Sequence, residues 1–242
     1  MTNATLNLWF AYPADFEAPE AEQAAAALFS DEDRARWQRL RFDRQRRELL
    51  ATRFLVRSAL SQYRTVAPDA WRFSANTHGK PAIEPECGLR FNLTNSPALV
   101  ACAIMEGSEV GVDVEPWGRA AQIMKLGDKI FSPGEMAAMA ALDERARSDR
   151  ALTLWTLKEA CVKARGVGLG KALEQTSFLI DRARGIRLDA EDADDWRFRV
   201  LDHAEHRVAL AVQRAVALEL EAWELKPATA APVRLTLAEW HT

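Results

Sequence analysis

The chain has 242 residues, 48% hydrophobic and 28% charged, which is enough apolar material to build a core as one large domain or two small ones. Its 32 basic and 35 acidic residues leave a net charge of −3, which excludes a global field for nucleic acid or an anionic membrane, so a phosphate-binding surface has to be a local cluster. Cys87, Cys102 and Cys161 are odd in number, far apart and outside any C-x-x-C pair, so neither a disulfide framework nor a thiolate zinc site is expected, and a reducing cytoplasm fits. Met1 to Phe10 carries no basic segment with a long apolar run behind it. No apolar stretch approaches the roughly 20 residues that cross a bilayer.

In chain order, Leu6, Leu8 and Phe10 alternate with Asn7, Trp9 and Ala11, the period of a strand with one face buried. Ser30 before Asp31, Glu32 and Asp33 is a helix start, and Arg34 to Tyr63 has no Gly or Pro to interrupt one or two helices. Strand-like runs follow at 71–74, 89–93, 99–105 and 110–115, separated by Gly, Pro and Asn. Ser132-Pro133-Gly134-Glu135 spells a capping box with Pro at the first helical position, and Phe131 and Met136 stand where a hydrophobic staple forms. A helix is predicted over about 148–165, stopping at Gly166, then strands at 178–181, 196–201, 207–212 and 218–225. Strand, helices, strands thus occurs twice. This predicts two packed halves, 1–108 and 109–242, with a boundary near Gly107 to Glu109.

Three patterns suit chemistry. In Val110-Gly111-Val112-Asp113-Val114-Glu115 the valines share one strand face, so Asp113 and Glu115 project from the other, roughly 7 Å apart. Such a pair repels itself unless a cation lies between, and oxygen ligands without His or Cys favour magnesium or manganese over zinc; the same hexapeptide equally suits a solvated strand edge. On the predicted 148–165 helix, Trp155, Glu159 and Lys163 recur at i, i+4 and i+8, which places a carboxylate and an ammonium on a face that a large ring marks as covered, or makes a plain surface ion pair. Arg46, Arg53, Arg57 and Arg64 form a helical stripe opposite Leu49, Val56, Ala59 and Tyr63, fit for phosphate or for solvent. His78-Gly79-Lys80-Pro81 is a compact basic turn.

Two lookalikes are set aside. Gly166 to Ala172 is one residue short of a phosphate loop and follows a helix rather than a strand. His203 and His206, three apart in a predicted loop, read as ordinary surface histidines rather than metal ligands.

The ordered set of Gly-Val-Asp-Val-Glu at 111–115 and Trp-Thr-Leu-Lys-Glu-Ala-Cys-Val-Lys at 155–163 resembles the two signature motifs of 4′-phosphopantetheinyl transferases of the surfactin-synthetase type. Ala51-Thr52-Arg53-Phe54-Leu55-Val56-Arg57, His78-Gly79-Lys80-Pro81 and Phe91-Asn92-Leu93-Thr94-Asn95-Ser96 are similar in the same order. The resemblance implies an α+β fold of two similar α/β halves about a pseudo-two-fold axis, with the active site in the cleft between them. It implies an enzyme that moves the phosphopantetheine arm of coenzyme A, its co-substrate, onto a serine of an apo acyl or peptidyl carrier protein, releasing 3′,5′-adenosine bisphosphate.

By the same resemblance Asp113, Glu115 and Glu159 hold Mg2+, with Mn2+ an alternative. Arg53, His78, Gly79, Lys80, Thr94 and Asn95 bind the nucleotide end, and Lys158 and Lys163 face the pyrophosphate. Glu159 is the expected general base and Lys163 the neutraliser of charge on the bridging oxygen. Asn95 departs from the family pattern, in which a histidine often stands there, so a charged phosphate contact becomes a neutral one. A cytoplasmic monomer with no nucleic-acid or membrane partner is expected. A non-catalytic coenzyme A or carrier-binding module and a metal-dependent nucleotide hydrolase are the competing readings, and the mass of the product separates all three.

Overall fold

The computed structural model describes residues 4–168, 170–181, 184–213, 218–227, 229 and 231–240. Strand β1 (Ala4–Ala11) opens the chain. Its alternation turns Leu6, Leu8 and Phe10 into one core and Trp9 and Ala11 into another, so both faces are covered. Helices α1 (Pro19–Ala26), α2 (Asp31–Arg39) and α3 (Asp43–Leu60) follow. The Ser30 hydroxyl caps α2 by accepting from the Asp33 amide, as its sequence predicts. The short hairpin β2 (Arg72–Ala75) and β3 (Pro81–Glu84) precedes a meander of β4 (Leu89–Asn95), β5 (Val100–Glu106) and β6 (Val110–Pro116).

Helix α4 (Ala120–Met124) leads to α5 (Pro133–Ala140), whose capping box is complete, Ser132 to the Glu135 amide and Glu135 back to the Ser132 amide. Phe131 is buried but Met136 is exposed, so the predicted staple partner points outward. Helix α6 (Glu144–Arg165) begins one turn earlier than its periodicity suggests because Asp143 caps it, and it ends at Gly166 with φ +66. The short α7 (Gly170–Gln175) leads into β7 (Phe178–Asp181), β8 (Gly185–Leu188), β9 (Trp196–His203), β10 (His206–Gln213), β11 (Leu218–Glu224), β12 (Val233–Leu235) and β13 (Ala238–Glu239).

The fold is mixed α+β. One sheet has the order β12-β11-β1-β5-β4 and another β13-β9-β10-β6, with two small two-stranded ladders beside them. The large sheets face each other through Leu6, Leu8, Ala103 and Met105 on one side and Val112, Val114, Val208 and Leu210 on the other. Helix α3 covers the outer face of the first sheet, with Leu55 and Val56 in one core with Trp9 and Cys102. Helix α6 does the same for the second, with Leu157 and Cys161 in one core with Ala209 and Ala211. The layers therefore run helix, sheet, sheet, helix, and burial of roughly 1.5–3 kcal/mol per large apolar side chain holds the central seam together. Strands β11 and β12, which lie beyond the 107–109 link, return to the first sheet, where β11 pairs parallel with β1.

Candidate active site

The site begins with a packing requirement. Val110, Val112 and Val114 of β6 are buried in the seam between the sheets, which turns Gly111, Asp113 and Glu115 toward α6. A β-carbon at Gly111 would collide with the Ala160 carbonyl oxygen and the Ala164 amide nitrogen. Only glycine there lets α6 lie directly on the strand, and this close approach carries Glu159 and Lys163 to the end where the two carboxylates project.

A cleft of about 690 Å³ opens at that point. Thr94, Asn95, Asp113, Glu115, Glu159 and Lys163 all line it, so six positions singled out in the sequence meet in one place. Lys163 Nζ lies 2.6 Å from Asp113 Oδ1 and 3.9 Å from Glu159 Oε2. The Thr94 hydroxyl donates to Asp113 Oδ1 at 3.0 Å. Trp155 Nε1 donates to Glu115 Oε1 at 2.6 Å, and the Arg119 guanidinium pairs with the same oxygen while resting 5.3 Å from the Trp155 ring centroid.

Burial and the neighbouring Asp113 carboxylate push the Glu159 carboxyl up to about 7. The same two causes, in the same order, raise Glu115. Asp113 Oδ2 is buried and takes no hydrogen bond. Three hard carboxylates that destabilise one another's charge, one with an orphaned oxygen, suit a small divalent cation. They are not a ready-made cage: among the described residues no three His, Cys, Asp or Glu side chains are grouped closely enough to hold a metal. Lys163 and Arg119 instead partly neutralise Asp113 and Glu115. Magnesium keeps several waters and substrate phosphate oxygens in its shell, for which such an open arrangement leaves room.

Leu93 and Lys163 also line a second cavity of about 340 Å³, where His78, Gly79 and Lys80 stand. The Asn76–Lys80 turn is docked on the end of α6, Asn76 Nδ2 donating to the Gly166 carbonyl and Lys80 Nζ to the Ala164 carbonyl. Lys80 Nζ also pairs with Glu109. The basic turn therefore lines a cavity that adjoins the cleft at Leu93 and Lys163.

Other expectations need correction. Lys158 does not reach the cleft: its side chain is fully buried, paired at 2.8 Å with Glu135 and bonded to the carbonyls of Ile130 and Thr176. Residues 158 and 159 differ by about 100° around the helix, so one points into the core when the other faces the groove. Arg53 lines neither cavity and is held by Asp33 at 2.5 Å. The four-arginine stripe is not an open cationic face, because Arg57 is buried and bonded to the Trp71 carbonyl, Arg46 to the Leu40 carbonyl and Arg64 to the Cys87 carbonyl. His203 and His206 lie in strands rather than a loop, and His206 is 5% exposed. Of the Gly166–Ala172 lookalike, Leu169 lies outside the described residues. Arg119 and Gln122 also line the cleft and carried no sequence signal beyond the spacing of four between Glu115 and Arg119, and Ser96, the last residue of the 91–96 segment, lines it too.

A family model described as the 4′-phosphopantetheinyl transferase superfamily matches residues 109–212. The 4′-phosphopantetheinyl transferase HetI of Nostoc sp. is 31% identical over 191 residues, 78% of this chain and 79% of that protein. A phosphopantetheinyl transferase of Thraustochytrium sp. is 29% identical, covering 88% of this chain and 81% of the relative. The 4′-phosphopantetheinyl transferase Sfp of Bacillus subtilis is 25% identical, covering 72% of this chain and 76% of the relative.

Proposed function

Because the chain belongs to the 4′-phosphopantetheinyl transferase superfamily, we propose that it transfers the phosphopantetheine arm of coenzyme A to a serine of an apo acyl or peptidyl carrier protein, in the manner of the surfactin-synthetase type. The observation that carries this reading is the meeting of Asp113, Glu115, Glu159 and Lys163 in one cleft, beside a second cavity that is lined by His78, Gly79 and Lys80 and shares Leu93 and Lys163 with it. Carboxylates in one cavity and a basic turn in the next suit a long substrate with a pyrophosphate in its middle. In this reading the two halves, 1–108 and 109–242, are related by a pseudo-two-fold axis, and the second lends β11 and β12 to the first sheet. Each contributes a long helix on the outer face of an antiparallel meander. The protein acts as a monomer in the cytoplasm, and none of the described helices is long and apolar enough to cross a membrane.

Asp113, Glu115 and Glu159 would hold Mg2+ or Mn2+, which when bound supplies positive charge against the pyrophosphate oxygens. Thr94 and Asn95, together with His78, Gly79 and Lys80, hold the nucleotide part. Lys163, which lines both cavities, neutralises charge building on the bridging oxygen. Glu159 takes the proton of the carrier serine, since its carboxylate lines the same cleft as Lys163 and the other two carboxylates. The serine oxygen then bonds to the phosphorus attached to pantetheine, and the bond from that phosphorus to the bridging oxygen breaks, releasing 3′,5′-adenosine bisphosphate. Positioning and charge do most of the catalysis.

Intact-mass spectrometry of an apo carrier incubated with the protein, coenzyme A and magnesium tests the proposal. A gain of one phosphopantetheine arm is expected, lost with a chelator and with Asp113→Ala. Binding of coenzyme A with no gain on any carrier would instead identify a non-catalytic module.

A further inference from the structure

The β9–β10 hairpin reverses in two residues, Ala204 and Glu205, both with positive φ of 47° and 62°. That turn geometry favours Asn-Gly, and two side-chain-bearing residues adopt it only where their surroundings hold them. The surroundings here are three segments, and two of them, after β6 and after β4, line the cleft. The Glu205 carbonyl accepts from the Trp117 amide at 3.0 Å, just after the carboxylate-bearing end of β6. His203 Nε2 meets the Tyr12 hydroxyl at 2.7 Å, at the end of β1. His206, which is buried, reaches the turn between β4 and β5.

The contacts of His206 fix its tautomer. Nδ1 is 2.5 Å from the Ala204 carbonyl, which can only accept, so Nδ1 carries the proton and Nε2 is an acceptor. The Ser96 hydroxyl, 2.9 Å away, therefore donates to Nε2. Ser96 Oγ in turn accepts from the Leu99 amide at 3.1 Å, a second tie across the turn after Asn95 beside the 2.8 Å bond from the Ser96 amide to the Leu99 carbonyl. One imidazole thus ties the turn carrying Asn95 to the strand that pairs with β6, with His206 opposite Pro116 in the ladder.

We propose that His206 is a positioning residue for the nucleotide end of the substrate, setting the Asn95–Leu99 turn through Ser96 while the strained Ala204–Glu205 turn clasps it to the carboxylate wall. This rests on the reading in which Thr94 and Asn95 contact the nucleotide. His206 touches no reacting atom, so its loss should weaken binding and spare the chemical step.

Calorimetric titration with 3′,5′-adenosine bisphosphate, steady-state kinetics with coenzyme A and a carrier, and amide exchange at Leu99 together test it. His206→Ala is expected to weaken affinity and raise KM about tenfold, the value of one buried hydrogen bond, with kcat within about threefold. Ser96→Ala should do the same, and the double variant should be no worse than either. His206→Gln, whose side-chain oxygen can accept the Ser96 proton, should recover most of the affinity. Leu99 exchange should quicken in His206→Ala and return in His206→Gln. Unchanged bisphosphate affinity in a folded His206→Ala protein, or a loss of kcat with affinity intact, overturns the proposal. If the wild type fails to bind the bisphosphate, the transferase reading falls, and Leu99 exchange still decides whether His206 holds the turn.

Discussion

Lys158→Met separates a structural lysine from one that acts in the cleft. Its ammonium is 2.8 Å from Glu135 Oε2, with side-chain exposures of 0% and 1%, so truncating either partner strands the other in the core. Breaking such a pair costs about 3–5 kcal/mol, because the remaining charge has neither solvent nor counter-ion. For a chain of this length that is a fall in Tm of roughly 6–20 °C. Glu135 also completes the cap of α5 and accepts from the Phe178 amide, so Glu135→Gln, which keeps a hydrogen-bonding shape, should be milder. Combining Lys158→Met with Glu135→Gln removes both charges and should restore half or more of the loss. Calorimetric melting of the four proteins reads the cycle, and KM for coenzyme A, measured below the lowered Tm, should stay within about twofold of wild type. A Lys158→Met protein that melts like wild type but shows KM raised tenfold would refute the buried placement.

Gly111→Ala should lose roughly 1–3 kcal/mol from overpacking and, by lifting α6 from β6, lower kcat on the order of 100-fold for each ångström that Glu159 moves; urea unfolding and kinetics read the two effects separately. Burial lowers the pKa of His203 and His206. The unfolded chain therefore binds protons first as pH falls through about 6.5, so stability should decline below that pH down to the folded values and stay flat with respect to these groups above it. His206→Gln should flatten part of this slope in urea titrations. Trp240→Ala removes a bond to Asp149 and the ring under Arg207, and should cost roughly 1–2 kcal/mol in melting while leaving transfer unchanged.

Much of the site was legible because it rests on local periodicity. The alternation through Val110–Glu115 places Asp113 and Glu115 together, and the i, i+4, i+8 spacing places Trp155, Glu159 and Lys163 on one face; the cleft unites the two sets. The same periodicity misled where adjacency was taken for a shared direction, as with Lys158 beside Glu159. The arginine stripe on α3 has the right helical spacing, but what meets it is Asp33 of α2 and the carbonyl of Trp71, partners that no local pattern announces. His206 was misread for a related reason. A histidine near a turn looks solvated until Ser96, from the other sheet, is known to cover it.

The parallel pairing of β1 with β11 imposes an order on the birth of the molecule. Ala4 leaves the ribosome well before its partner Leu218, which follows more than two hundred residues later. Until then β1 has β5 on one side and an open edge on the other, a strand of Leu, Trp and Phe ready to pair with whatever arrives. An 1–108 fragment should therefore aggregate rather than fold, and synthesis of the full chain should depend on holdase chaperones until its last strands emerge.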